Sequence, residues 1–95
     1  MKTNELAESL LALGWRIDAE GKSAGKMFVF SSFGDAFAFM TDVAGEAERL
    51  NHHPDWRNVY TTVWMTLTTH DTQGLSFLDL QLARACDRFV VQYQE

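Results

Sequence analysis

Glu48, then His52-His53-Pro54, Tyr60, His70 and Asp79 are the residues of this chain whose types and spacing could do chemistry. All three histidines of the protein fall within that stretch. Imidazole is the side chain whose ordinary pKa lies nearest neutrality, so a cluster of this kind points to proton transfer or to metal binding more than to bulk packing. Residue types alone do not separate the two.

The metal reading requires ligands that converge. Adjacent His52 and His53 point in different directions in most backbone geometries, and the single Cys86 sits far off in a helical stripe. A metal site is therefore the weaker reading, and none is expected. Two of the carboxylates also have plain structural explanations: Asp79 is the third residue after Ser76, the spacing of a capping box, and Glu48 could pair with Arg49 or Arg57.

The elements that must position these residues can be read from local patterns. Thr3 can cap a first helix with Leu6, Leu10 and Leu13 on its apolar side, which Gly14 would end. Trp15, Ile17 and Ala19 alternate with polar neighbours, and after a turn from Glu20 to Gly25 the run Lys26 to Phe30 completes a hairpin. Ser32 and Asp35 open a long helix whose expected buried stripe is Phe33, Ala36, Phe37, Met40, Val43, Ala44 and Ala47, with Glu48 at its border. Pro54 disfavours helical geometry at His53, so this helix should end near Asn51 or His52. Strand residues follow to Tyr60 and from Val63 to Leu67, and strict alternation sends His70 away from the apolar face. Ser76 with Asp79, stapled by Leu75 and Leu80, opens a last helix that presents Leu82, Ala83, Cys86, Phe89 and Val90 to the core. This order predicts an α+β fold, a four-stranded antiparallel sheet with three helices packed on one face in the order α-β-β-α-β-β-α.

At 95 residues the chain is read as a single domain over 1–95. Its seven Phe, three Trp and two Tyr suit a folded globule. A net charge of −5 with scattered Lys and Arg argues against nucleic acid as a partner. One cysteine, no signal-like segment after Met1-Lys2 and no run of ~20 apolar residues lead to the expectation of a cytoplasmic protein without membrane contact.

The spaced series Glu48-x3-His52-His53-Pro54-x5-Tyr60-x9-His70-x8-Asp79 closely resembles the signature of the pterin-4a-carbinolamine dehydratases. Leu10-Leu11 with Gly14-Trp15, Phe28 and Phe30, Asn58-Val59-Tyr60, and Gly74-Leu75-Ser76 with Leu82-Ala83 extend the resemblance over nearly the whole chain. It implies dehydration of 4a-hydroxytetrahydropterin to the quinonoid dihydropterin, recycling the cofactor of aromatic amino acid hydroxylases. The pterin is then the substrate, and no cofactor is implied. On the same footing His52 and His70 correspond to acid/base groups and His53 to a binding and orienting group, without settling which histidine is the acid. Glu48 would orient a histidine or bond the pterin. Pro54 and the turn Thr69, His70, Asp71 and Thr72 would line the pocket, with Trp56 lending an aromatic surface. Leu78 departs from relatives that carry a basic residue there. The family also implies a homodimer or homotetramer, and the alternative to turnover is a dimerisation, assembly or coactivator module on the same fold.

Overall fold

The computed structural model describes residues 2–94. Three helices and four strands form in the predicted order: α1 (Thr3–Ala12), β1 (Arg16–Ile17), β2 (Ala24–Val29), α2 (Phe33–Leu50), β3 (Asp55–Val59), β4 (Thr62–Leu67) and α3 (Phe77–Val90). Lys2, one residue earlier than expected, holds the cap position of α1. At its other end Gly14 takes φ +89°, and the Gly14 and Trp15 N–H groups reach back to the Leu11 and Leu10 carbonyls. This is a Schellman ending, which needs a residue tolerant of the left-handed region.

The strands form one antiparallel sheet in the order β1-β2-β4-β3. The first hairpin is tighter than its sequence suggests, because Ala24 and Gly25 belong to β2 and pair with Ile17 and Arg16. Asp18 accepts from the Lys22 and Ser23 N–H groups at 2.6 and 3.1 Å and so closes that turn with its own side chain. These bonds hold its carboxyl below the usual carboxylate range. Tyr60, at φ 51°, makes the two-residue turn between β3 and β4.

Packing against the sheet decides which stripe of α2 turns inward. Ala36, Phe39, Val43 and Ala47 are buried, whereas Phe33, Phe37 and Ala44, expected in the core, are exposed. Phe39 stands between Phe28 and Phe30 at ring separations of 4.8 and 5.0 Å, and the aromatic chain continues to Trp15 and Tyr93. Phe33 and Phe37 instead stack on each other outside. Lys26 fastens α1 to α3 across the sheet, bonding the Leu13 carbonyl at 2.8 Å and Asp87 at 2.9 Å while Asp87 also accepts from Trp15 Nε1. The helix-free face of the sheet leaves Met27, Val29, Val59 and Trp64 exposed. No helix among the described residues is long and apolar enough to cross a membrane.

Cys86 lies fully buried on α3, with Sγ 3.5 Å from Met65 Sδ. Burial pushes its thiol up to about 12 from 9.0, because the thiolate would lose its hydration. Two outcomes follow for the folded protein. Iodoacetamide at mildly alkaline pH should leave Cys86 unmodified, by intact mass, until urea unfolds the chain. Since only the unfolded thiol ionises near 9.0, stability should fall as pH rises from there toward about 12, an effect that Cys86→Ala would remove.

Candidate active site

The histidines are brought together by the ends of α2 and β4 and the start of α3. Helix α2 stops in a second Schellman ending: Asn51 takes φ 50°, its N–H bonds the Glu48 carbonyl at 3.1 Å, and the His52 N–H bonds the Ala47 carbonyl at 3.0 Å. The stop lies where Pro54 predicts it, and the turn folds His52 back against the start of α3. Buried there, His52 Nε2 lies 2.6 Å from Asp79 Oδ1. His53, one residue on, is exposed and meets Glu48 Oε1 at 2.7 Å. The adjacent rings thus take different carboxylates.

Asp79 has no exposed surface. Its Oδ2 closes the capping box by accepting from the Ser76 N–H at 2.9 Å and also accepts from Thr69 Oγ1 at 2.8 Å. Thr69 and Ser76 hydroxyl oxygens lie 2.6 Å apart. The cap expected of Asp79 is therefore present, and its second oxygen remains for His52. Glu48 pairs with neither Arg49 nor Arg57: Arg49 binds Glu46, and Arg57 lies over the Trp64 ring.

Beyond β4, Thr69 and Gly74 pair through reciprocal backbone bonds of 2.9 and 3.2 Å and enclose the single turn His70–Thr72. Alternation along the strand buries Leu67 and Thr69 and turns His70 outward, as its register requires. His70 nonetheless shares a cavity with His52, because the hollow wraps around the end of the sheet. One lobe of about 300 Å³ is lined by Asn51, His52, His53, Thr68, Thr69, His70, Asp71 and Leu78. A second lobe of about 390 Å³ is lined by His53, Pro54, Asp55, Thr66, Thr68 and His70. His53, Thr68 and His70 border both lobes.

Pro54, Thr69 and Asp71 line the hollow as expected, but three residues do not. Trp56 pairs with buried Met65 on the helix side of the sheet and packs on the core. The Thr72 hydroxyl bonds the Thr69 and Gly74 carbonyls and closes the turn. Glu48 reaches the site only through His53. Sequence reasoning missed Asn51, Asp55, Thr66 and Thr68. Thr66 and Thr68 could have been found from the period-two register they share with His70, and Asn51 from its tolerance of the left-handed region.

An antiparallel α+β layer whose helix and strand ends meet at a histidine-lined hollow is the class that fold and site define. The sequence model of the family described as Pterin 4 alpha carbinolamine dehydratase matches residues 1–89. Two curated relatives carry the pterin-4-alpha-carbinolamine dehydratase name provisionally. One, from Sinorhizobium medicae (strain WSM419), is 52% identical over 84 residues, covering 87% of this chain and 80% of the relative. The other, from Roseobacter denitrificans (strain ATCC 33942 / OCh 114), is 57% identical over 83 residues, covering 86% and 84%. The crystal structure of a transcriptional coactivator/pterin dehydratase from Brucella melitensis superposes with TM-score 0.86 at 38% identity, covering 94% of this chain and 96% of that one. A pterin dehydratase-like protein identified as a RuBisCO assembly factor in the alpha-carboxysome shares the fold, with TM-score 0.68 at 24% identity over 79% and 87% of the chains. The chain belongs to the pterin-4-alpha-carbinolamine dehydratase family.

The two histidine–carboxylate contacts differ in what their loss should do. Asp79→Ala strands a buried N–H, a hydroxyl and an imidazole, and should lower unfolding free energy by about 3 kcal/mol. Glu48→Ala breaks a pair standing in water and should cost about 0.5 kcal/mol or less. Urea unfolding of both variants measures the contrast; equal midpoints would refute it.

Proposed function

We propose that the chain is a 4a-hydroxytetrahydropterin dehydratase whose histidines carry the proton transfers. The observation that supports this most directly is that His52 and His70, brought from a helix end and a strand end, border one hollow. In the reaction the C4a–O bond breaks, N5 loses its proton, C4a=N5 forms and water leaves. One group must deliver a proton to the departing oxygen while another accepts the proton from N5, and imidazoles serve both tasks near neutral pH. No electrons are exchanged with an outside carrier in that step, so it needs no redox cofactor. His53, steadied by Glu48, is assigned to binding and orienting the ring, with Pro54, Thr69 and Asp71 as wall. In this reading the enzyme returns the tetrahydropterin of an aromatic amino acid hydroxylase to use.

A second role, as an assembly module, is favoured by one feature: the exposed apolar stripe of Phe33, Phe37 and Ala44 on α2, with Phe33 and Phe37 stacked at 5.7 Å. We assign that stripe to self-association as a dimer or tetramer, which is compatible with catalysis.

Carbinolamine generated in situ, with its dehydration followed by absorbance, tests the first reading. His52→Ala and His70→Ala should each lower the enzymic rate by about a hundredfold or more. Equal rates in wild type and both variants would dispose of the acid/base assignment. Light scattering tests the second: wild type should have a multiple of the single-chain mass, and Phe37→Asp should reduce it. A monomeric wild type would sink the interface.

A further inference from the structure

We infer that Thr69 and Ser76 are positioning residues which act through Asp79 to fix His52 as its Nε2–H tautomer, leaving Nδ1 as the nitrogen that exchanges a proton in the hollow. The functional half of this inference rests on the acid/base reading given above. It follows from counting hydrogens.

A carboxylate oxygen only accepts, so the 2.8 Å contact between Thr69 Oγ1 and Asp79 Oδ2 uses the single hydroxyl hydrogen of Thr69. Thr69 then has none to offer Ser76 across their 2.6 Å contact, so the Ser76 hydroxyl must donate to Thr69. The Leu78 N–H, 3.2 Å from Ser76 Oγ, occupies the acceptor side of that hydroxyl. With the Ser76 N–H also directed at Oδ2 at 2.9 Å, the donors on this oxygen come from the capping box and from the segment just beyond β4. The carboxylate is thereby anchored at one oxygen, and Oδ1 faces His52 Nε2 at 2.6 Å. With Asp79 as the carboxylate, two acceptors cannot share so short a contact, so we place the proton on Nε2.

His52 Nδ1 makes no hydrogen bond to a described residue. Among the described residues no buried side-chain nitrogen or oxygen lacks a partner, so Nδ1 keeps some access to solvent, and we assign that access to the hollow that His52 lines. Short hydroxyls from two elements thus set the protonation pattern of an imidazole on a third. Anchoring of this kind keeps a reacting group in one orientation, and its loss is felt in the chemical step more than in binding.

The test uses the full chain labelled with 15N-histidine. Long-range 1H–15N correlation, recorded on the neutral side of the histidine titration, distinguishes a ring nitrogen bearing hydrogen from one that does not. Wild-type His52 should show hydrogen on Nε2 and a bare Nδ1. Thr69→Val keeps the side-chain shape but removes the hydroxyl, and should mix the tautomers and lower kcat about tenfold with KM changed by about twofold or less. Thr69→Ser should restore both readouts. Hydrogen on Nδ1 in wild type overturns the inference without need of any variant. So does a Thr69→Val protein with unchanged tautomer and kcat. Because the tautomer is read without substrate, a wild type that fails to turn over carbinolamine would sink the reaction assignment while leaving the positioning claim to its own measurement.

Discussion

The structure depends on a buried carboxylate that serves two masters. Asp79 must close the first turn of α3, where the Ser76 N–H has no helical partner, and it must also receive His52 from the end of α2. A charge or polar group without exposed surface is tolerated only when its acceptor sites are filled. Here they are filled at once by His52 just after α2, Thr69 just after β4 and Ser76 at the cap of α3. None of the three can shift without stranding the others, so the pocket wall inherits the rigidity of a helix cap. The same bond explains why α2 must end where it does: a further turn of helix would carry His52 around the axis and away from Asp79.

Around that point the protein uses ordinary means. Helices α2 and α3 cover the sheet through Phe39, Val43, Leu82 and Cys86, and Lys26 with Asp87 fixes α1. These contacts lie away from the hollow, which is bounded by loop and terminus residues that a packed layer holds in place. The three imidazoles are held with decreasing firmness. His52 is buried against an anchored carboxylate, His53 meets an exposed one, and His70 opens a one-turn helix with no side-chain partner among the described residues. Fixed and adaptable groups thus share one cavity.

What could be read in the sequence was what is local. Ser76 with Asp79, Ser32 with Asp35, and Pro54 after two histidines act within a few bonds of themselves, and each marked a helix boundary where it lies. The inward face of α2 was not legible, because two adjacent stripes are both apolar and only Phe28 and Phe30 on the sheet choose Phe39 over Phe37. Trp56 was offered as an aromatic surface for the pocket on the family resemblance, yet strand register with Met65 turns it to the core. The bond from His52 to Asp79 spans 27 residues, and no period or motif spacing encodes which oxygen of a capping carboxylate is left over. The family resemblance gathered these residues into one list; geometry distributes them among helix cap, cavity wall and core.

Charge sets a last constraint on what the hollow accepts. Among the described residues its lining includes Asp55 and Asp71 but no Lys or Arg, and Leu78 stands where a basic side chain would change that balance. A phosphorylated ligand would bring its charge toward carboxylates with no fixed cation to compensate, and the chain as a whole carries −5. A neutral bicyclic ring bearing an amino group and a ring N–H offers donors instead, which suit carboxylate and carbonyl acceptors. Among the described residues of the lining the imidazoles are the groups that can take on positive charge, so in the proposed reaction protonation and the stabilisation of a departing hydroxyl would fall to the same side chains. On the proposed reading that economy ties binding to chemistry: displacing His52 or His70 would remove one of the two proton carriers and also one of the three imidazoles able to offset negative charge.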